Sequence, residues 1–404
     1  MLMKAHLLSA IAVCVLTAAA LGDGPWGQAG SPTWVGETRI LEVNRARQML
    51  QGSLTEQVNA ALAILKDRQA LDSASQKAVA TVPPVVADPS TSLIVLIEPG
   101  RTGSARELLN AAAQIASQVA GKVIAMQPEA TGSPEELSSW GADHRVVIHN
   151  EVVAEDAAHF VADWCQASPP WGILAPSTTW GREVASRIAA RLQAGLTGDA
   201  IELEVDNNQL VSWKPAFGGR LVAAIRATSP TQMVTVRPGV LPQLTPRPRA
   251  MPGMETHALT PQARLRILSH EQNDQLDALA MATRVVGVGM GILPESYKEL
   301  DPLLHVLQAE LATTRKVTDK GWLPHSRQVG ITGRSIAPNL YIALGISGKF
   351  NHTCGIQAAG TVLAINSDPR AEIFNYADIG MVADWTACVP LLVKAFAATL
   401  DTSV

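Results

Sequence analysis

The sequence predicts an α/β protein of two doubly wound domains, the C-terminal one a parallel-sheet, Rossmann-like domain, preceded by a short strand-loop-helix extension. Three features point there. The chain has 404 residues, 47% hydrophobic and only 17% charged, enough apolar material for two large cores. From Leu93 onward, short apolar runs alternate with segments of helical periodicity, the pattern of right-handed βαβ crossovers. Proline-rich stretches at 79–92 and 241–261 interrupt the alternation, giving an extension at 1–78, a linker at 79–91 and domains at 92–271 and 276–404.

Charge and cysteine usage narrow the function. The formal net charge is -4 and no Lys/Arg run is long, so a nucleic-acid footprint is absent and small-molecule or protein partners are favoured. Cys14, Cys165, Cys354 and Cys388 lie far apart with no C-x-x-C pair, which argues against a disulfide framework and fits a reducing compartment. The nine histidines form no H-x-x-x-H or H-E-x-x-H pattern, so no metal site is expected.

Along the chain, "MLMKAHLLSAIAVCVLTAAALG" has one lysine, an apolar run from Leu7 to Leu21 and small residues after it. That is the plan of a secretory leader, and "AIAVCVLTAA" suits a buried parallel strand equally well; the run is short for a membrane span. "GPWGQAGSPTWV" reads as a loop. "SLTEQVNAALAILKDRQAL", 53–71, opens with Ser-x-x-Glu capping letters and continues as an amphipathic helix.

In the first domain "SLIVLIEP", "KVIAM", "HRVVIHN" and "WGILAP" are expected strands, separated by helices such as "SARELLNAAAQIASQVA" and "WGREVASRIAARLQAG". The β-rich "AIELEVDNNQLVSWKPAFGGRLVAAIRA" and "QMVTVRPGVLP" are expected to finish it with antiparallel additions, "LRILSHEQ" being a last strand. In the second domain "TRVVGVGMG", "RQVGITG", "NLYIALGISG", "GTVLAINSDP" and "IFNYADIGMVADW" are the strand regions, and "YKELDPLLHVLQAEL" and "VPLLVKAFAATL" the helices.

Ligands of such a domain bind at the carboxyl ends of the strands. The turns there hold Arg315, Asp319, Gln328, Thr332, Ser347, His352, Asn366 and Asp368. A Gly-Ile-Ser-Gly turn after a buried strand lets backbone approach a ligand, and Ser347 adds a donor, so an anionic group, a phosphate above all, is the expected occupant. A tight turn needed only for close packing is the alternative. No spacing suggests hydrolysis, and the set, being one of donors, suits a phosphorylated heteroaromatic cofactor.

These residues also carry a family likeness. "VTDKGWLPHSRQVGITGRSIAPNLYIALGISGKFNHTCGI" followed by "AINSDPRAEIFNYADIGMVAD" resembles the FAD-binding domain of the alpha subunit of electron-transfer flavoproteins. The family pattern there is G-W/F-x-P, Q-V-G-Q-T-G, A-P-x-L-Y-I-A-x-G-I-S-G-A-x-Q-H and A-I-N-x-D-P-x-A-x-I-F. Upstream, "PSTTWGREVASRIAARLQAGL", "PAFGGRLVAAIR" and "VTVRPGVLP" resemble the family's first domain, so the likeness spans roughly residues 92–404.

The resemblance implies an FAD-containing, cytoplasmic electron carrier without stable membrane insertion or a substrate acid or base of its own. It implies a beta-type partner subunit, flavin dehydrogenases as donors, those of fatty acid β-oxidation among them, and a quinone reductase or other acceptor. It assigns cofactor contacts to Met290, Thr314, Arg315, Gln328, Val329, Gly330, Ile331 and Thr332. Further contacts fall at Ser347, Gly348, Lys349, Phe350, Asn351 and His352, and at Asn366, Asp384 and Trp385. Ser347 and its turn would cradle the FAD pyrophosphate. His352 would donate to the pyrimidine carbonyl O2 and stabilise negative charge on the reduced flavin. Thr332 would bond near flavin N5, Arg315 would lie over the isoalloxazine, and Thr314 stands where the family often has serine.

Two departures stand out. The family's G-G-R-G is "GVGMG" here, with Met290 in place of an arginine, and the Gln before Thr332 is Ile331. A lost cation weakens the hold on an anionic group, which motivates the alternative of a non-redox nucleotide-binding or assembly subunit without flavin. Finally, "AVCVLTAAALGDGPWGQAGSPTWV" with "RARQMLQGSLTEQVNAALAILKDRQAL" resembles the C-terminal end of the beta subunit of the same flavoproteins, which implies a beta-tail–alpha fusion, or the latter part of a longer fusion, and no export.

Overall fold

The computed structural model describes residues 30–40, 45–72, 80–128, 132–149, 153–216, 221–259, 278–279 and 282–400. The apolar run Leu7–Leu21, Cys14 and "LRILSHEQ" lie outside them. Among the described residues no helix is long and apolar enough to cross a membrane.

The extension supplies strands β1 (Thr33–Ile40) and β2 (Gln48–Met49) and helix α1 (Leu54–Asp67). Helix α1 starts where the letters predict. The Ser53 side chain accepts from the Glu56 amide and the Glu56 carboxylate accepts from the Ser53 amide, closing a capping box. Thr33–Val35, read from the sequence as loop, instead begin β1, an edge strand whose partner lies far downstream.

The first domain alternates β3 (Thr91–Leu96), α2 (Thr102–Gln118), β4 (Gly121–Pro128), α3 (Pro134–Trp140), β5 (His144–His149), α4 (Ala154–Ala167), β6 (Gly172–Pro176) and α5 (Thr179–Leu192). It continues with β7 (Leu196–Ala200), β8 (Glu202–Asp206), β9 (Gln209–Ala216), β10 (Leu221–Ala227), β11 (Gln232–Val236) and β12 (Gly253–Ala258). Seven strands form one sheet in the order β12-β5-β4-β3-β6-β11-β7, every pair parallel. The continuous apolar run of β3 follows from burial on both faces: Leu93 and Val95 pack with α2, and Ile94 and Leu96 with α4 and α5. The expected antiparallel finish holds only for β8, β9 and β10, which with β1 form a separate four-stranded sheet. Both β11 and β12 run parallel in the main sheet, because the chain reaches each by a long return and not by a hairpin. The stretch 241–261 therefore contains a strand despite its prolines.

The second domain comprises β13 (Arg284–Val288), α6 (Asp301–Leu307), β14 (Glu310–Thr313), α7 (Arg315–Asp319), β15 (Leu340–Leu344), α8 (Phe350–Thr353), β16 (Thr361–Asn366), β17 (Ile379–Val382) and α9 (Trp385–Leu400). Its sheet is parallel throughout in the order β14-β13-β15-β16-β17-β2, so the extension contributes the last strand. Leu340, Ile342 and Leu344 share one core with Val58 and Leu65 of α1 and Phe396 of α9, while Tyr341 and Ala343 face the other side. Two strand expectations shrink. "RQVGITG" forms only isolated bridges, Thr313 to Gln328 and Val329 to Arg334, and residues Glu372–Tyr376 of "IFNYADIGMVADW" turn into a 3-10 helix.

The extension is thus fastened to both domains. Through β1 it joins the four-stranded sheet, where the Arg39 guanidinium pairs with Glu202 and lies 3.8 Å from the Trp213 ring centroid. In the second domain, the Asp378 carboxylate accepts from Arg45 Nη1 (2.9 Å), Arg68 Nη2 (3.1 Å) and the Val362 amide (2.9 Å). The side chains of Asp378 and Arg45 are only 3% and 6% exposed.

Candidate functional site

The carboxyl ends of the second sheet line up the expected residues in strand order. Thr314 and Arg315 follow β14, Met290 follows β13, Ser347 and Gly348 follow β15, Asn366 ends β16, and Asp384 and Trp385 follow β17. A row of strand ends comes together because parallel strands all point the same way.

Glycines allow the turns to nest. Gly345 (φ +59) and Gly348 (φ +86) sit in the left-handed region, and a Cβ on Gly348 would lie 1.9 Å from the Ile373 amide nitrogen. Close packing is therefore a real reason for these glycines. It also leaves donors: the amides of Ser347, Gly348 and Lys349 make no hydrogen bond within the described residues. Asn366 braces the turn by donating from Nδ2 to the Ile346 carbonyl (2.8 Å), while its Oδ1 accepts from the Asp368 amide (2.9 Å).

The "QVGITG" loop and α8 are stitched by backbone. The Ile331 amide donates to the Asn351 carbonyl (2.8 Å), and Gly330 (φ +132) leaves no room for a side chain against that same carbonyl. Gln328 is buried as a hub: Oε1 accepts from Thr318 Oγ1 (2.6 Å), and Nε2 donates to Thr332 Oγ1 (2.8 Å). With its oxygen occupied by Gln328, the exposed Thr332 keeps its hydroxyl proton for an outside acceptor. Arg315 and Lys349 are exposed, Arg315 pairing with Asp319 at 3.3 Å, while Phe350 is partly buried. The Asp384 carboxylate accepts from the amide and hydroxyl of Thr386 (2.8 and 2.7 Å), which lowers its pKa and fixes the start of α9.

His352 differs from the sequence expectation. The ring is 5% exposed; its Nδ1 lies 3.1 Å from the Val329 carbonyl and its Nε2 2.9 Å from the Tyr341 hydroxyl. A carbonyl only accepts, so Nδ1 carries the proton and Nε2 accepts from Tyr341. The neutral ring has no further N–H to offer a flavin carbonyl. Sequence reasoning missed Tyr341, one hydroxyl inside an apolar strand; its inward parity with Ala343 was the available signal.

Burial holds the His352 pKa down at about 4, against the opposing bond to Val329. The unfolded imidazole binds a proton below about 6.5 while the folded one stays neutral, so this residue makes stability rise with pH from about 4 to 6.5. The sum is about 3 kcal/mol, lost as pH falls through that window. Glu107, buried and pushed up to about 7 mainly by desolvation, acts with opposite sign: its contribution is present below about 4.5 and is lost as pH rises to about 7. The difference between the protein and His352→Gln isolates the histidine. Denaturant midpoints measured at pH 4 to 7 are expected to show a smaller rise with pH in the variant; parallel curves contradict the neutral, buried ring.

Comparison with known proteins decides the family. Residues 278–357 match the electron transfer flavoprotein FAD-binding domain, and residues 95–261 match the electron transfer flavoprotein domain. The chain belongs to the electron-transfer flavoprotein alpha-subunit family. Protein FixB of Azorhizobium caulinodans is 35% identical over 312 residues, 73% of this chain and 85% of that protein. The electron transfer flavoprotein subunit alpha of Thermoanaerobacterium thermosaccharolyticum is 35% identical over 271 residues, covering 64% and 82% of the two chains. The lactate dehydrogenase (NAD(+),ferredoxin) subunit LctC of Acetobacterium woodii is 34% identical over 304 residues, 71% of each chain.

The C-terminal domain of this electron-transfer flavoprotein alpha subunit is accordingly an FAD-binding domain, and the chain is part of a flavoprotein electron carrier. The donor set fits that cofactor. Three adjacent unbonded amides and the Ser347 hydroxyl suit a diphosphate, and the Thr332 hydroxyl is free to donate.

Proposed function

We propose that FAD lies along the carboxyl edge of the second sheet, its diphosphate on the amides of Ser347, Gly348 and Lys349. The observation that carries this reading is the ordered row of strand-end donors. Bound there, FAD supplies reversible electron storage, and the chain holds and tunes it. Lys349, where the family pattern has alanine, brings a cation to the turn and offsets the arginine missing at Met290. Thr332, its oxygen accepting from Gln328 Nε2, donates its hydroxyl proton outward to the cofactor, and Arg315 and Thr314 lie at the β14 end of the edge. Val329 and Tyr341 hold the His352 ring neutral and fixed between the loop that carries Thr332 and β15, so its part in the site would be to position that loop against the cofactor.

A beta-type subunit completes the site, as is normal in the family, with the extension occupying the place of that subunit's C-terminal tail. The carrier accepts electrons from a flavoprotein dehydrogenase and passes them to a quinone reductase or another acceptor in the cytoplasm. Relatives named FixB and LctC give no preference for fatty acid oxidation. The test is electron passage from a reduced flavoprotein dehydrogenase to a dye in the presence of the chain with a co-expressed beta-type subunit. Dye reduction is expected only when both are present; a rate unchanged by omitting the chain overturns the carrier reading.

A further inference from the structure

A cleft of about 470 Å³ opens between the two domains at the carboxyl ends of β3, β6 and β11, bordered on its far side by the loop that carries Thr332. The strand order of the seven-stranded sheet reverses there: β4 and β5 lie to one side of β3, and the chain returns to place β6 on the other. Open α/β sheets bind ligands at such a point. The first turns of α2 and α5 form one wall, and helices of 17 and 14 residues direct their positive ends into it. The amides of Thr102, Gly103, Ser104 and Thr179 make no hydrogen bond within the described residues.

The side chains around those amides favour an anion. Arg101 and Arg237 line the cleft from the first domain together with Arg182, and Arg334 lines it from the second; Arg182 is bonded to Asp199 at 2.7 Å and Arg101 lies 4.0 Å from Glu98, so four guanidinium groups stand against the carboxylates Glu98, Glu107 and Asp199. Glu107 is engaged by the amides of Gly239, Val240 and Leu241 at 2.6 to 2.8 Å, so it fixes the loop after β11 and faces no ligand. Across the cleft, Ser335 is 9% exposed and its Oγ has no hydrogen-bond partner. An unmet hydroxyl is costly to bury, and a turn about the Ser335 Cα–Cβ bond toward the cleft would let a ligand oxygen relieve it. The space is larger than inorganic phosphate needs and within the range of small-molecule pockets, and Pro238 and Ile331 give it an apolar side.

We propose that this cleft binds an organic phosphate of nucleotide size, with its phosphate on the first turns of α2 and α5 and Ser335 donating to it from the flavin domain. The ligand bridges the two domains and touches the loop that carries Thr332. The inference stands apart from the flavin reading.

The test is isothermal titration of the whole chain, after saturation with FAD, with ADP and separately with inorganic phosphate. ADP is expected to bind at least about tenfold more tightly than inorganic phosphate, and the Arg101→Gln/Arg182→Gln double variant to lose about tenfold or more in ADP affinity with its FAD content unchanged. Ser335→Ala is expected to weaken ADP several-fold without lowering the thermal midpoint of the ADP-free chain. ADP binding no tighter than inorganic phosphate overturns the proposal. A folded double variant with undiminished ADP affinity also overturns it, since binding then resides at the flavin edge.

Discussion

Replacing Asp378 by alanine is expected to destabilise the folded chain by about 3–5 kcal/mol, since it leaves a buried arginine without its counter-charge. Arg45 has 6% of its side chain exposed, and its other partners are the carbonyls of Ile356, Gln357 and Gly360, which solvate a guanidinium without neutralising it. The same carboxylate accepts from Arg68 and the Val362 amide, so one substitution unties the extension, β16 and the approach to β17 together. Arg68→Ala is the graded control. That side chain is 35% exposed and Asp378 keeps Arg45 when it is removed, so its loss is expected to cost less than that of Asp378. Chemical denaturation of the two variants checks the order. A loss below about 1 kcal/mol for Asp378→Ala would mean that the β2–β17 backbone pairing and apolar packing hold β2 and α1 without help from the ion pair.

Gly348→Ala is expected to reduce FAD retention by more than about tenfold, the effect of displacing a diphosphate from two or more backbone donors. Two constraints act on this residue. Its φ of +86° strains any L side chain, and its added Cβ would meet the Ile373 amide nitrogen at 1.9 Å, the Ile373 Cα at 2.3 Å and the Glu372 carbonyl carbon at 2.5 Å. All three are backbone atoms of the 3-10 helix after β16, so the turn itself must shift and carry the amides of Ser347 and Lys349 with it. Ser347→Ala, by contrast, removes an exposed hydroxyl and is expected to change stability by less than about 0.5 kcal/mol. FAD released on denaturation from each purified variant is the measurement. Full retention by Gly348→Ala would place the diphosphate elsewhere.

The parts of the fold legible in the sequence are those with local signatures. The run Leu93–Leu96 and the helical period of α2 announce a βα unit, Ser53 and Glu56 mark a helix start, and strand-end glycines mark where a ligand can approach. What stayed hidden depends on long-range pairing. The letters of Gln232–Val236 declare a strand but not its direction, which is set by the excursion through β8, β9 and β10. Thr33–Ile40 has weak alternation and becomes a strand only because β10 offers an edge. Site chemistry divides in the same way. Positions along the carboxyl edge follow from the parallel topology, whereas the state of His352 depends on Tyr341 and Val329, 11 and 23 residues away in the chain. Nothing in local spacing shows that both ring nitrogens are already engaged. The attachment of the extension through Asp378 required the fold.

The most direct measurement is the visible spectrum of the purified chain, alone and co-expressed with a beta-type subunit, with mass analysis of whatever denaturation releases. A flavin spectrum and released FAD are expected, strengthened or made possible by the beta-type subunit. A chain that stays colourless in both preparations after FAD has been offered contradicts the flavin edge and leaves Met290 and Ile331 as the marks of a subunit that no longer holds the cofactor.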